Sequence, residues 1–170
     1  MNTSGLLIIP RNNFAHMTFG EMFKNKLIKK TYLAIVQGHP KKSGSINYSI
    51  ARHPSGHKMT CISNCKKSFL TRGVSRQAIS DYKVLEYFGD YSLVQVNPVT
   101  GRTHQIRVHF SSIGHPIIGD QLYGKKSKLI DRQALHAYKL EFEYEGKSFS
   151  FCSEISKDFL DLINQLKNNL

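Results

Sequence analysis

The chain has 170 residues, of which 40% are hydrophobic and 21% charged, and these values exclude a disordered or collagen-like chain and suit one folded domain. Lysines and arginines number 24 against 12 acidic residues, giving a formal net charge of +12, which indicates a polyanionic partner, with nucleic acid the first candidate. A basic surface that only aids solubility is the alternative, and no membrane partner is expected because the apolar runs are strand-length.

The first elements predicted along the chain are a strand, a helix and a second strand. Residues 6–9 form a short apolar run that predicts a strand. Apolar residues recur at loosely helical spacing over residues 14–27, with Asn12 or Asn13 as the expected N-cap. Residues 31–37 alternate as a strand.

Two hairpins are predicted further on. Residues 41–76 show little periodicity and predict short strands and loops. The β-rich runs 78–88 and 91–97 flank a Gly-Asp pair and predict an antiparallel hairpin. A second hairpin is predicted from 135–144 and 148–152, which flank Glu-Gly-Lys.

The C-terminal tail predicts an amphipathic helix, since four apolar residues follow helical spacing there: Phe159, Leu162, Ile163 and Leu166. Hairpins with occasional helices, and no regular alternation of strand and helix, favour an α+β fold with a largely antiparallel central β-sheet and flanking helices. No internal repeat or long linker is visible, so we expect residues 1–170 to form one unit.

The cysteines indicate a reducing compartment. Cys61, Cys65 and Cys152 are an odd count, and no secretory signal follows Met1, so we expect a cytoplasmic protein. Cys61 and Cys65 have a spacing that could supply half of a zinc site. No second Cys/His pair follows at a finger-like interval, and zinc is therefore not expected.

The most informative segment spans residues 100–124, which include TGRTHQIRVH and GHPIIGDQLYG. Thr103 is the predicted cap of a helix whose core-facing residues would be Ile106, Phe110 and Ile113. The same helix would project Arg102, His104 and Arg107 toward a shared surface. Two arginines with a His and a Gln near a helix start can bind phosphate or pair with a buried carboxylate.

A metal site is the competing hypothesis for this segment, because histidines stand at positions 104, 109, 115 and 136. His104 and His109 are five residues apart, which does not place both on one helical face. We therefore expect no metal ion.

The segment 100–124 resembles the signature of the RluA-like RNA pseudouridine synthases, which modify ribosomal and transfer RNA. Three other segments resemble that family in the same order: TSGLL at 3–7 is similar to the end of its catalytic motif, KTYLA at 30–34 to its tyrosine strand, and DYKVL at 81–85 to the strand before the arginine motif. The resemblance covers essentially the whole chain. It implies the pseudouridine synthase catalytic fold, structured RNA as the partner, and no cofactor.

The resemblance also implies roles for single residues. Tyr32 matches the tyrosine that packs against the target base, and Arg107 the arginine that pairs with the catalytic aspartate. Ile117 and Ile118 resemble the wall of the uracil pocket, and Asp120 is expected to be a turn or structural acid. We assign RNA binding to the basic and polar residues of the matching segments, Lys29, Lys30, Arg102, His104 and Gln105.

The chain departs from the family pattern at its start. The family motif reads Arg-Leu-Asp, two variable residues, then Thr-Ser-Gly, so with Thr3 in place the nucleophilic aspartate would stand immediately before Met1. The resemblance therefore implies an N-terminally incomplete catalytic domain, from a fragment, an internal start codon or a truncated paralogue. We expect the chain by itself to make no pseudouridine.

Two functions from different classes remain. One is an RNA pseudouridine synthase that isomerises specific uridines in structured ribosomal or transfer RNA. The other is a non-catalytic RNA-binding protein derived from that fold. A metal-dependent nuclease would suit the charge, but the sequence has no carboxylate cluster to hold its ions.

Overall fold

The computed structural model describes residues 2–56, 58–62 and 72–168. Within these ranges the helices are α1 (Asn13–Lys24), α2 (Gln105–Ser112) and α3 (Lys157–Asn168). The strands are β1 (Ser4–Gly5), β2 (Lys29–Gln37), β3 (Ser43–Asn47), β4 (Ser49–Arg52), β5 (Met59–Ile62), β6 (Arg72–Arg76), β7 (Ile79–Phe88), β8 (Tyr91–Pro98), β9 (Leu135–Tyr144) and β10 (Lys147–Cys152).

The main sheet has seven strands in the order β1-β9-β2-β8-β7-β3, with β10 also paired to β9. All of these pairs are antiparallel except β1 with β9. A smaller sheet has the order β5-β4-β6. The α+β fold with a largely antiparallel sheet and flanking helices is therefore confirmed.

Both predicted hairpins are present, as β7–β8 and β9–β10. The predicted terminal helix is α3, and all four residues of its apolar stripe are buried. Helix α1 begins after Asn12, whose side chain accepts a hydrogen bond from the Ala15 backbone N–H at 2.8 Å. The strand predicted at 6–9 is wrong, since β1 is only two residues long.

Competition for one edge of β9 explains why β1 is short. Strand β2 occupies the other edge of β9. Strand β1 pairs with His136 and Ala137, and β10 pairs with the same edge from Lys139 onward. The chain therefore leaves the sheet after Gly5, and Leu7 is 71% exposed.

The core lies on both faces of the main sheet. Strand β2 is central, and four consecutive residues of it, Leu33 to Val36, are buried. Burial on both faces is typical of an interior strand, whereas a strand with one face in solvent alternates between buried and exposed residues. Phe110 of α2 and Phe159 of α3 are each fully buried in the same cluster. Across the described ranges, no helix combines the length and apolar character that a membrane crossing requires.

Candidate active-site cleft

A cleft of about 1250 Å³ lies where the start of the chain, the beginning of β2, the loop before α2 and the entry to β9 meet. We call it the cleft throughout. Its lining includes Thr3, Ser4, Gly5, Lys30, Tyr32, Arg102, His104, Gln105, Arg107, Gly119, Gln121, Leu122, Arg132 and Gln133. The segments that the sequence analysis singled out at 3–7, 30–34 and 100–124 therefore all reach it.

The Thr-Ser-Gly segment is fixed to β9 by its small residues. Gly5 has φ +99°, and a Cβ there would lie 2.2 Å from the Ala137 carbonyl oxygen, so only glycine allows this approach. The Ser4 hydroxyl is hydrogen-bonded to Nδ1 of His136 at 2.9 Å. His136 is buried, and this contact gives its ring a polar partner inside the sheet.

The entry to β9 holds site residues that the sequence analysis missed. Gln133 is buried, and its Nε2 donates to the Thr3 hydroxyl at 3.3 Å. Arg132 donates to the backbone carbonyl of Asn2 at 3.3 Å and to that of Leu135 at 3.1 Å. The available signal was a pair of polar residues, Gln133 and His136, among the apolar residues that lead into β9, Ala134, Leu135 and Ala137.

Strand β2 presents two residues to the cleft. Lys30 and Tyr32 are two positions apart, so their side chains lie on the same face. Burial raises the pKa of the Tyr32 hydroxyl and lowers the pKa of Lys30, whose Nζ donates to the Thr100 carbonyl oxygen at 3.4 Å. Lys29, assigned to RNA binding, is exposed and does not line the cleft, because its side chain alternates to the other face of β2.

The loop before α2 is organised by Gln105. Its Oε1 accepts hydrogen bonds from the Thr100 hydroxyl at 2.7 Å and the Arg102 backbone N–H at 2.9 Å. Its Nε2 donates to the Ile79 carbonyl oxygen and the Ser80 hydroxyl. Gln105 is 4% exposed, and its amide is used within the protein. Gln105 also lines the cleft, and its assignment to RNA binding stays a prediction.

The N-cap position of α2 is His104, with φ 55° and no side-chain capping bond. The prediction that Thr103 caps this helix is therefore wrong. The core-facing residues were predicted correctly, since Ile106 and Phe110 are buried and Ile113 packs against the same cluster. Like Arg107, Arg102 and His104 line the cleft, the shared surface that the spacing predicted.

Arg107 forms a two-point ion pair with Asp120. Nε donates to Oδ2 and Nη2 to Oδ1, each at 2.7 Å. The Asp120 side chain is fully buried, and the Arg107 side chain is 13% exposed. The sequence analysis offered phosphate or a buried carboxylate as the partner of this arginine. The structure shows a buried carboxylate, that of Asp120.

Asp120 is held as a charged group. Burial alone would raise its pKa, but the hydrogen bonds and charge of Arg107, with the backbone N–H groups of Tyr123 and Leu122, outweigh burial and lower the pKa of Asp120. Nη1 of Arg107 forms no hydrogen bond inside the described part of the chain. One edge of the guanidinium is therefore available to a further acceptor in the cleft.

Ile117 and Ile118, assigned to the uracil pocket, do not line the cleft. Both are buried in the core, where the Ile118 N–H donates to the Ile35 carbonyl oxygen at 2.9 Å. Gly119 then turns the chain with φ +72°, where a Cβ would lie 2.2 Å from the Arg132 carbonyl oxygen. The apolar side chain that this segment brings to the cleft is that of Leu122.

The competing metal hypotheses concern the remaining histidines and cysteines. Among the described residues, no three His, Cys, Asp or Glu side chains converge as a metal site would require. The Cys61 thiol is hydrogen-bonded to the Val108 carbonyl oxygen at 3.7 Å. Cys65 lies outside the described residues.

Comparison with known proteins gives consistent results. Residues 1–112 match the family model of RNA pseudouridylate synthases. The chain is 34% identical to the ribosomal large subunit pseudouridine synthase D of Zymomonas mobilis, over 97% of this chain and 53% of that protein. It is 40% identical to an uncharacterized RNA pseudouridine synthase of Aquifex aeolicus, over 91% of this chain and 50% of that protein. The chain thus spans about half the length of these curated relatives.

A solved structure shares the fold. Human RNA pseudouridylate synthase domain containing 1 superposes with a TM-score of 0.70 at 29% identity, over 92% of this chain and 73% of that chain. The family match covers well over half of the sequence, including β2 and α2, which carry Tyr32 and Arg107. The chain therefore belongs to the RNA pseudouridylate synthase family.

Proposed function

We propose that this chain carries the RNA-binding cleft and the tyrosine–arginine part of the active site of an RNA pseudouridine synthase. The substrate is a uridine in structured ribosomal or transfer RNA. The reaction breaks the bond from N1 of uracil to C1′ of ribose, turns the base, and rejoins it through C5, so a proton leaves C5 and N1 gains one. The observation that carries the proposal is the meeting of Tyr32, Arg107 and the Thr3–Gly5 segment in one cleft.

Each of these groups suits a step of the reaction. Tyr32 is half-buried and neutral at ordinary pH, since burial raises its pKa, and its ring offers a stacking face to a detached base. Arg107 is oriented by Asp120 and keeps Nη1 free for a carboxylate that attacks the sugar. A fixed cation beside that carboxylate keeps it ionised.

The basic groups at the cleft suit a flipped nucleotide. Lys30 and Arg102 line it, and Arg102 is fixed by donating to the Gln77 carbonyl oxygen at 3.2 Å. A uridine must leave its loop or helix to enter such a cleft, at a cost of a few kcal/mol that phosphate contacts offset. The surplus of +12 charges supplies the long-range attraction.

The test places Arg-Leu-Asp directly before Met1 and measures tritium release from RNA labelled at C5 of uridine. Release is expected from this extended chain and not from a control carrying Arg-Leu-Asn. The unextended chain is also expected to release none. If the extended chain binds RNA without releasing tritium, the non-catalytic RNA-binding function is correct and the proposal is wrong.

A further inference from the structure

Tyr123 joins three parts of the molecule beside the cleft. Its hydroxyl oxygen is 2.8 Å from the backbone nitrogen of Met59, the first residue of β5 in the smaller sheet. It is also 3.0 Å from Nδ1 of His104. Its ring lies under the Arg107 guanidinium, with Cζ 5.1 Å from the ring centroid.

The position of Tyr123 is fixed by its backbone. Its N–H donates to Oδ1 of Asp120 at 3.1 Å, and its carbonyl oxygen accepts from the Ser111 hydroxyl at 2.7 Å. These bonds attach the residue to the ion pair of Arg107 and to α2. The ring therefore lies in a defined place relative to the cleft.

The hydrogen bonds of the hydroxyl determine where its proton lies. A backbone N–H can only donate, so the Tyr123 oxygen accepts from Met59 and its own proton is available to Nδ1 of His104. Nδ1 is then an acceptor, and the proton of a neutral His104 is on Nε2. Nε2 makes no hydrogen bond within the described residues, and His104 is half-buried and lines the cleft.

We propose that Tyr123 is a positioning residue: its hydroxyl holds His104 with Nδ1 as an acceptor, so that Nε2–H donates to an oxygen of the RNA beside Arg107. The identification of that ligand as RNA rests on the proposed function. Burial, most strongly, and the charge of Arg107 lower the pKa of His104 against an opposite effect of Asp120. His104 is thus a neutral donor at neutral pH, which suits a carbonyl oxygen as well as a phosphate.

The first measurement does not depend on RNA. Nitrogen-15 spectra of the histidine rings are recorded at about pH 8, where histidine is normally neutral, and His104→Gln identifies the His104 signals. The chemical shift of Nδ1 of His104 is expected to be that of an unprotonated nitrogen that accepts a hydrogen bond, with the proton on Nε2. Tyr123→Phe keeps the aromatic ring at position 123 but removes the hydroxyl. The Nδ1 signal of His104 should then move toward the chemical shift of an imidazole that has no hydrogen-bond partner. Tyr87→Phe, which removes a hydroxyl bonded to the Pro40 carbonyl oxygen, should leave it unchanged.

The second measurement is the affinity for a uridine-containing RNA stem–loop. Tyr123→Phe should weaken binding about three- to tenfold, the worth of one hydrogen bond, and should have no effect in a His104→Ala background. An unchanged Nδ1 signal in Tyr123→Phe overturns the proposal, as does unchanged affinity or an equal loss in both backgrounds. If the unaltered chain binds no RNA, the proposed function fails instead, and the spectra still decide whether Tyr123 sets the tautomer.

Discussion

Arg107 directs two of its nitrogens, Nε and Nη2, at the two oxygens of Asp120, across a separation of only 13 residues. The sequence analysis expected Arg107 to direct its planar fork at a catalytic aspartate. In the structure the fork is already engaged, and a further carboxylate can approach only its remaining edge. Asp120 thus fixes the direction of the guanidinium in the cleft.

Replacing Asp120 with Asn should lower the free energy of unfolding by about 2–4 kcal/mol, because the substitution leaves the largely buried Arg107 without its counter-charge. Urea denaturation at neutral pH measures this change. Asp131→Asn is the matched control, since Asp131 is an exposed aspartate that also borders the cleft, and it should change stability by less than about 0.5 kcal/mol. Equal effects of the two substitutions would show that the ion pair contributes nothing.

Replacing Arg107 with Lys in the chain extended by Arg-Leu-Asp should reduce the rate of tritium release at least about tenfold, or about 1.4 kcal/mol in the transition state. An ammonium keeps the charge but cannot contact Asp120 at two points and present a third nitrogen to the cleft. RNA affinity should change little. A rate equal to that of the unsubstituted enzyme would show that Arg107 has only a structural role, in its ion pair with Asp120.

Lys30 and Lys29 are neighbours in sequence on opposite faces of β2, and they form a matched pair for testing the RNA surface. Lys30→Gln should weaken RNA binding and reduce the slope of log affinity against log salt by about 0.7–0.9, the loss of one phosphate contact. Lys29→Gln removes the same charge outside the cleft and should change the slope less. Filter binding from about 50 to 200 mM salt measures both. Equal slopes for the two variants would argue against the cleft as the phosphate surface.

The elements that the sequence predicted well are those with a strong local pattern. The stripe of α3 follows helical spacing, and each hairpin has a turn between two β-rich runs, so local chemistry decides both. Short strands were expected within residues 41–76, but the bounds and pairing of the smaller sheet were not predicted, because β4 and β5 are only four residues long and show no clear alternation. The pairing of β4 with β6 joins Ile50 to Arg76, a contact that no local sequence pattern reports.

The candidate site likewise contains residues that the sequence predicted and contacts that it did not. Tyr32 and Arg107 were singled out by resemblance, and both line the cleft. The direction of a side chain could not be predicted, since an apolar residue such as Ile118 has the same pattern whether it faces the core or a cleft. The partner of Arg107 was missed for a related reason, because Asp120 reaches it only after the turn that Gly119 makes.

Replacing Asp158 with Asn should lower stability in a pH-dependent way. Arg132 donates to both carboxylate oxygens of Asp158, at 2.6 and 2.9 Å, and these bonds outweigh partial burial and lower the pKa of Asp158 to about 2. A carboxyl whose pKa is depressed on folding adds stability above its unfolded pKa of about 3.9 and loses it as the pH falls through the folded value. The side chain is 46% exposed, so solvent limits the contribution to about 0.5–1 kcal/mol at neutral pH.

In urea titrations the difference in the free energy of unfolding between the unsubstituted chain and Asp158→Asn should be constant from about pH 7 to 5 and shrink below about pH 4. Asp161→Asn, an exposed position on the same helix, should show no such change, and a difference for Asp158→Asn that persisted undiminished toward pH 2 would mean that the ion pair with Arg132 is not its source.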